Sequence, residues 1–221
     1  MHDTDLNSNV RNWPRCEKFE IFRASEFLSA PEKIRNTVGV YMILLQGADK
    51  MLERVGLPQT DLLTPWSLIN HQHVYTGLSV AISSRALLHL RGTVQDSAVR
   101  ETLLALQFGH EILWDGRDVD LDVWERRLNR WLAANALVAF RVCDDARKAE
   151  KDLIGRLPSP FNTDKNRNSP HVPFLAEKRH QFRQHLEATG KVRHRDVKSP
   201  SKWLLDATAN HLAGLQSRQS T

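Results

Sequence analysis

The sequence predicts an α+β domain, a small sheet packed by helices, and three observations carry that prediction. Two short apolar runs, VGVYMILL (38–45) and HVYTGL (73–78), are rich in β-branched and aromatic residues. Four later stretches repeat apolar residues at helical spacing, three of them with a capping residue or a Gly or Pro stop. A third β-like run, LVAFRVCD (137–144), falls between two of those helical stretches. The order β, β, α, α, α, β, α fits a sheet with helices on at least one side.

Taken in order, residues 1–35 read as an irregular N-terminal arm with one short helix, ASEFLSAPEKI, interrupted at Pro31. The strand at 38–45 follows Asn36 and Thr37 and is apolar throughout, as a buried strand should be. The connection 46–72 is punctuated by Gly47, Gly56, Pro58 and Pro65, with one short helix near 49–55. After the strand at 73–78, VAISSRALLHLRG (80–92) reads as a helix stopped by Gly92 as its C-terminal cap. The next helix, 96–112, is capped by Asp96 or Ser97 and carries Glu101 in its first turns. A third helix spans 122–136, the strand follows at 137–144, and a fourth helix at 146–157 stops at Pro158. The segment 163–173 is polar and irregular, and 171–190 reads as a further helix ended by Gly190. No internal repeat is present.

Length and composition narrow the function. A chain of 221 residues is one domain with extensions, long enough to bury a core without disulfides or structural zinc. Cys16 and Cys143 lie far apart and outside any CxxC pattern, which points to reduced thiols and a cytoplasmic setting. The N-terminus is polar and acidic, without a signal-peptide pattern, and no run approaches the roughly 18 apolar residues of a membrane span. The net charge of +5 is unevenly placed: residues 163–221 hold 11 Lys and Arg against 5 Asp and Glu, and residues 1–162 hold 20 against 21. The same last quarter carries five of the ten histidines. A basic extension on a near-neutral body suits a polyanion, and nucleic acid is the usual one, although a solvated tail has the same composition.

Three groups of residues could carry chemistry. The chain's two tyrosines, Tyr41 and Tyr75, sit in the first two predicted strands. If those strands pair, both phenols can lie on one face a few ångströms apart; for either one alone, aromatic packing is the simpler reading. Arg85 and His89 are four apart on the helix that follows, so they point the same way. A guanidinium can clamp phosphate oxygens and an imidazole can move a proton, although a capping histidine beside a solvated arginine has the same spacing. Glu150 lies beside the apolar face Leu153, Ile154 and Leu157, and Asn162 closes a Pro-bounded turn just beyond. A hard cation such as Mg²⁺ takes carboxylate oxygen and often only one or two protein ligands, but a lone Glu on a helix is usually solvent-facing.

Together these residues resemble the GIY-YIG nuclease family. Gly39-Val40-Tyr41 resembles its first motif and Tyr75-Thr76-Gly77 its second, with Arg85 and His89 at the family's Arg and His spacing and Glu150, Pro160 and Asn162 at its metal-site pattern. Two departures stand out: Val40 and Thr76 replace the motif isoleucines, and 33 residues separate the tyrosines where a short hairpin is common. The resemblance implies a mostly antiparallel central sheet flanked by helices. It also divides the chain into an arm at 1–35, a catalytic domain at 36–162 with insertions at 46–72 and 93–136, and a basic C-terminal helical extension at 163–221. Arg91-Gly92, Asp96–Arg100 and Asn129-Arg130-Trp131-Leu132 resemble, more distantly, the small type II restriction branch of that family.

The resemblance further implies metal-dependent hydrolysis of phosphodiester bonds in double-stranded DNA, plausibly of restriction type and as a homodimer. Glu150 would hold one Mg²⁺ or Mn²⁺, and Arg85 would neutralise developing charge. Tyr41 would serve as general base, with Tyr75 positioning, His89 bonding the base or the water, and Asn162 orienting Glu150 or the phosphate. Lys165, Arg167, Lys178, Arg179, Arg183, Arg193 and Arg195 would grip the DNA backbone. Two alternatives share the fold: a structure-specific repair or recombination nuclease, and a nucleic-acid-binding module that has lost catalysis.

Overall fold

A computed structural model describes residues 19–56, 71–109, 111, 120–157, 159–162 and 171–188. Among these residues four strands, β1 (Glu20–Arg23), β2 (Gly39–Gln46), β3 (His71–Ser79) and β4 (Ala136–Val142), form one sheet in the order β1-β4-β2-β3, and every pairing among them is antiparallel. Among the described residues, seven helices surround it: α1 (Ala24–Ser29), α2 (Ala48–Arg54), α3 (Ile82–Arg91), α4 (Ala98–Gln107), α5 (Leu121–Asn135), α6 (Ala146–Arg156) and α7 (His171–Ala188). This is the α+β, antiparallel architecture that the sequence predicts.

β2 is apolar without alternation because both faces of the sheet are covered. Tyr41, Ile43 and Leu45 face a large core built from α1 to α5 and α7, together with Val138 and Phe140 of β4. Val40, Met42 and Leu44 face a smaller core, where Leu137 and Ala139 meet Ala146 and Leu153 of α6 and Leu157 at its C-terminal cap. Gly39 is required where β2 meets β4, because a Cβ there would overlap the carbonyl oxygen of Arg141. Between Ile43 and Leu44 the β2–β3 register slips: Ile43 pairs with Tyr75 and Leu44 with His73, leaving Val74 as the extra residue of a bulge. The bulge lets Val74 and Tyr75, although adjacent, both meet the larger core.

β1 is the element the sequence does not announce. EIFR is four residues long and half polar, yet Ile21 pairs with Ala139 and Phe22 with Val138 at the sheet's edge. Part of the predicted arm is therefore sheet. Pro31 separates α1 from a single 3₁₀ turn, Pro31–Lys33, as expected. Gly92 ends α3 by donating its N–H to the carbonyl of Leu88, but at φ −71° it stays out of the left-handed region expected of a glycine cap. The helix expected at 96–112 is capped by Ser97, whose Oγ accepts from the Arg100 N–H, and runs only to Gln107. Gly190 and the 163–170 segment lie outside the described residues.

α7 is packed into the body of the molecule. Leu175, Phe182 and Leu186 are at most 2 % exposed and join the larger core. Burying three such side chains contributes roughly 5–9 kcal/mol as an upper estimate, which is comparable with the whole stability of an ordinary domain, about 5–15 kcal/mol. No helix among the described residues is long and apolar enough to cross a membrane.

Candidate active site

Antiparallel pairing of β2 and β3 places Tyr41 opposite Gly77 and Ile43 opposite Tyr75, so both phenols lie on one face. Their ring centroids are 6.1 Å apart. The glycine of the second motif is what admits the first tyrosine: a Cβ at residue 77 would stand 2.5 Å from the Tyr41 Cζ. α3 follows β3 directly and lays His89 over the same face, 5.6 Å from the Tyr41 ring and 5.2 Å from the Tyr75 ring.

The three rings differ in exposure. Tyr41 and His89 are buried, and Tyr75 is half-buried at the open side. The Tyr41 hydroxyl and the His89 Nε2 share a 2.6 Å hydrogen bond. On its other side, His89 Nδ1 lies 2.6 Å from the hydroxyl of Ser97, the cap of α4. Burial drives both groups toward their neutral forms. It pushes the Tyr41 phenol well above its usual value, with Tyr75 adding to the rise and the Arg85 guanidinium opposing it. Burial also pulls His89 well below the usual imidazole value, and Arg85 and then Arg100 reinforce the fall. Arg85, one turn before His89 and half-buried, is thus the cation that bears on both groups.

Behind His89 lies a polar layer that sequence reasoning did not reach. Arg100, wholly buried, donates to the His89 carbonyl at 3.4 Å and to Asn129 Oδ1 at 2.8 Å. Its Nη2 is 3.9 Å from Glu125, whose Oε1 accepts from the Val94 N–H. Burial lowers the Arg100 value to about 10, so the group is still charged at neutral pH. The stretches Asp96–Arg100 and Asn129–Leu132, singled out separately in the sequence, therefore meet through one guanidinium.

Asn162 reaches the site by way of the backbone. Its Oδ1 accepts from the Thr76 N–H at 2.8 Å and its Nδ2 donates to the Thr76 carbonyl at 2.6 Å. The Phe161 N–H donates to the Val74 carbonyl at 3.0 Å, so the 159–162 turn clamps β3 on both sides of Tyr75. Its amide is thus engaged with the strand backbone at Thr76. Thr76, the departure from the motif isoleucine, is accommodated because its hydroxyl lies 2.8 Å from His73 Nε2 and 3.3 Å from Ser159 Oγ in a buried polar group.

Glu150 is buried at 4 % exposure, not solvent-facing. It comes from the opposite layer, on α6, which packs against β3 and β2. Tyr41, Tyr75, Arg85 and His89 thus converge on one face, Asn162 joins through Thr76, and Glu150 approaches the edge strand from the other side. Among the described residues no group of three or more His, Cys, Asp or Glu gathers to hold a metal. A buried carboxylate is a ligand type that a hard cation takes.

The basic residues divide as well. Arg183 makes a bidentate pair with Glu101 of α4, its Nε and Nη2 each 2.9 Å from a carboxylate oxygen, so its charge is committed within the fold. Lys178 lies 5.4 Å from the Phe174 ring centroid. Arg179 is on the same helix, while Lys165, Arg167, Arg193 and Arg195 lie outside the described residues.

The family model of the GIY-YIG catalytic domain matches residues 39–185, more than half of the chain. Comparisons with curated proteins and with solved structures gave no match. The matched segment begins at Gly39, whose missing side chain lets β2 close on β4, and contains every side chain that meets at the aromatic face. It ends within α7, the helix whose apolar residues complete the core. On the match and this arrangement together, the chain belongs to the GIY-YIG nuclease superfamily.

Proposed function

We propose that this protein is a metal-dependent endonuclease that hydrolyses phosphodiester bonds in double-stranded DNA, of restriction type, acting in the cytoplasm. The observation that carries the reading is the 2.6 Å bond between Tyr41 and His89, beside Arg85 and within the family-matching segment. Hydrolysis needs a deprotonated water, neutralised phosphoryl charge and a stabilised leaving oxygen. Tyr41 takes the water's proton, its ionisation favoured by Arg85 against the cost of burial. Tyr75, half-buried beside Tyr41, positions the scissile phosphate. Arg85 bears on the phosphoryl oxygens. Glu150 is the residue that would hold Mg²⁺ or Mn²⁺, and such an ion, when bound, supplies Lewis-acid stabilisation. Asn162 acts through β3, by fixing the backbone around Tyr75. The basic chain beyond α7 holds the DNA backbone, and two copies together cut both strands.

The test is incubation of the purified protein with supercoiled plasmid, in Mg²⁺ or in EDTA, beside Glu150→Ala. Expected are discrete linear products in Mg²⁺ only, and none from the variant although it still binds DNA. Undiminished cleavage by Glu150→Ala would remove the metal assignment. Cleavage confined to flaps or branched DNA would move the protein to the repair class, and no cleavage of any substrate would leave a binding module.

A further inference from the structure

Ser97 caps α4 and, with the same hydroxyl, reaches the catalytic face at His89. Ser97 is wholly buried, and its hydroxyl has two partners among the described residues, the Arg100 N–H at 3.2 Å and His89 Nδ1 at 2.6 Å. The N–H can only donate, so it takes one lone pair of Oγ. The hydroxyl's own proton must then go to His89 Nδ1 or be buried without an acceptor, which is the unfavourable alternative. Neutral imidazole carries one N–H. If Nδ1 accepts from Ser97, the proton sits on Nε2 and points at Tyr41.

We propose that Ser97 is a positioning residue that fixes His89 as the Nε2–H tautomer, so that His89 donates to the Tyr41 oxygen. Two consequences follow from the geometry. The Tyr41 oxygen accepts from His89, so its own proton is directed away from the imidazole, toward the open side where Tyr75 stands. When that proton leaves, the same Nε2–H stabilises the phenolate with no rearrangement. His89 is then a hydrogen-bond donor to the base and not an acceptor of the base's proton. The remaining neighbours agree with a fixed ring: Arg100 holds the His89 carbonyl, and the helix that starts at Ser97 is tied to α7 by Glu101 and Arg183. The catalytic consequence rests on the nuclease reading; the tautomer does not.

The test uses the full-length protein labelled with ¹⁵N-histidine and long-range ¹H–¹⁵N correlation spectra, with His89 assigned by its loss in His89→Gln. Wild type is expected to show a protonated Nε2 and a bare Nδ1. Ser97→Thr keeps the hydroxyl and should restore both the tautomer and cleavage. Ser97→Asp keeps the helix cap but can only accept, so Nδ1 becomes the protonated nitrogen. Its kcat should fall at least 10-fold with KM little changed, within the range of about 10- to 10⁴-fold seen when a partner that orients a histidine is lost. A protonated Nδ1 in wild type overturns the proposal. So does Ser97→Asp with an altered tautomer and full kcat, because Ser97 would then be a cap alone. A wild type that cuts nothing overturns the nuclease reading and the catalytic consequence, while the spectra still decide the tautomer.

Discussion

Gly77→Ala tests whether the second motif's glycine exists to make room for the first motif's tyrosine. The added Cβ would stand 2.5 Å from the Tyr41 Cζ, whereas ordinary carbon contacts begin near 3.5 Å. The ring must therefore retreat by about 1 Å, and it has nowhere to go, since Tyr41 has no exposed surface. A retreat of that size breaks the 2.6 Å bond to His89 or drags the imidazole with it. Overpacking of this kind costs about 1–3 kcal/mol. At roughly 2–4 °C per kcal/mol for a chain of this size, the thermal midpoint should fall by several degrees. A misplacement of about 1 Å in a catalytic group costs on the order of 10²-fold in rate. The assays are thermal unfolding through the transition and initial rates of plasmid nicking below the variant's midpoint. A variant that unfolds and cleaves like wild type would refute the steric argument. One that is destabilised yet cleaves at full rate would detach Tyr41 from the chemistry.

Arg85→Ala should lower cleavage by two or more orders of magnitude with little change in thermal midpoint, because the side chain is half-buried and at the open side; a rate within twofold of wild type would remove it from the site. Stability should depend on pH through two shifts of opposite sign. His89 titrates lower in the folded state than its usual value of about 6.5, so below that value the unfolded chain binds the extra proton and stability falls with acidification. Tyr41 holds its proton more tightly when folded, so stability is lost as pH rises beyond about 10. Thermal midpoints measured from pH 5 to 11 should show both limbs, and His89→Gln should flatten the acid one; an equally steep acid limb in that variant would contradict the assignment. Removal of residues 189–221, which spares α7, should flatten the salt dependence of DNA affinity, and an unchanged slope would leave the C-terminal charge without a role.

Much of this was legible in the chain, and the exceptions share a cause. The apolar runs around Tyr41 and Tyr75 announce strands because period and composition are local properties, and the register in which they pair, Tyr41 with Gly77 and Ile43 with Tyr75, brings the two phenols to one face. Arg85 and His89 were legible as a pair because four residues make one helical turn. What the sequence could not show is pairing between distant polar groups. Ser97 reads as a cap and is one, but its second bond, to His89, crosses from one helix to the next. Arg183 reads as a free cation because its charge is visible and Glu101, 82 residues away, is not. β1 escaped notice because four half-polar residues at a sheet edge carry no periodicity; its pairing with β4 makes it a strand.

Among the described residues β3 is an edge strand, and that gives the Asn162 clamp a consequence beyond catalysis. An open edge offers its unpaired N–H and C=O groups to any passing chain and is a common start of aggregation. Here the outward groups of Thr76 are met by one asparagine side chain and that of Val74 by the Phe161 N–H, so four residues of turn stand in for a neighbouring strand. The wall that holds Tyr75 in place therefore also covers the middle of the sheet's edge, at Val74 and Thr76.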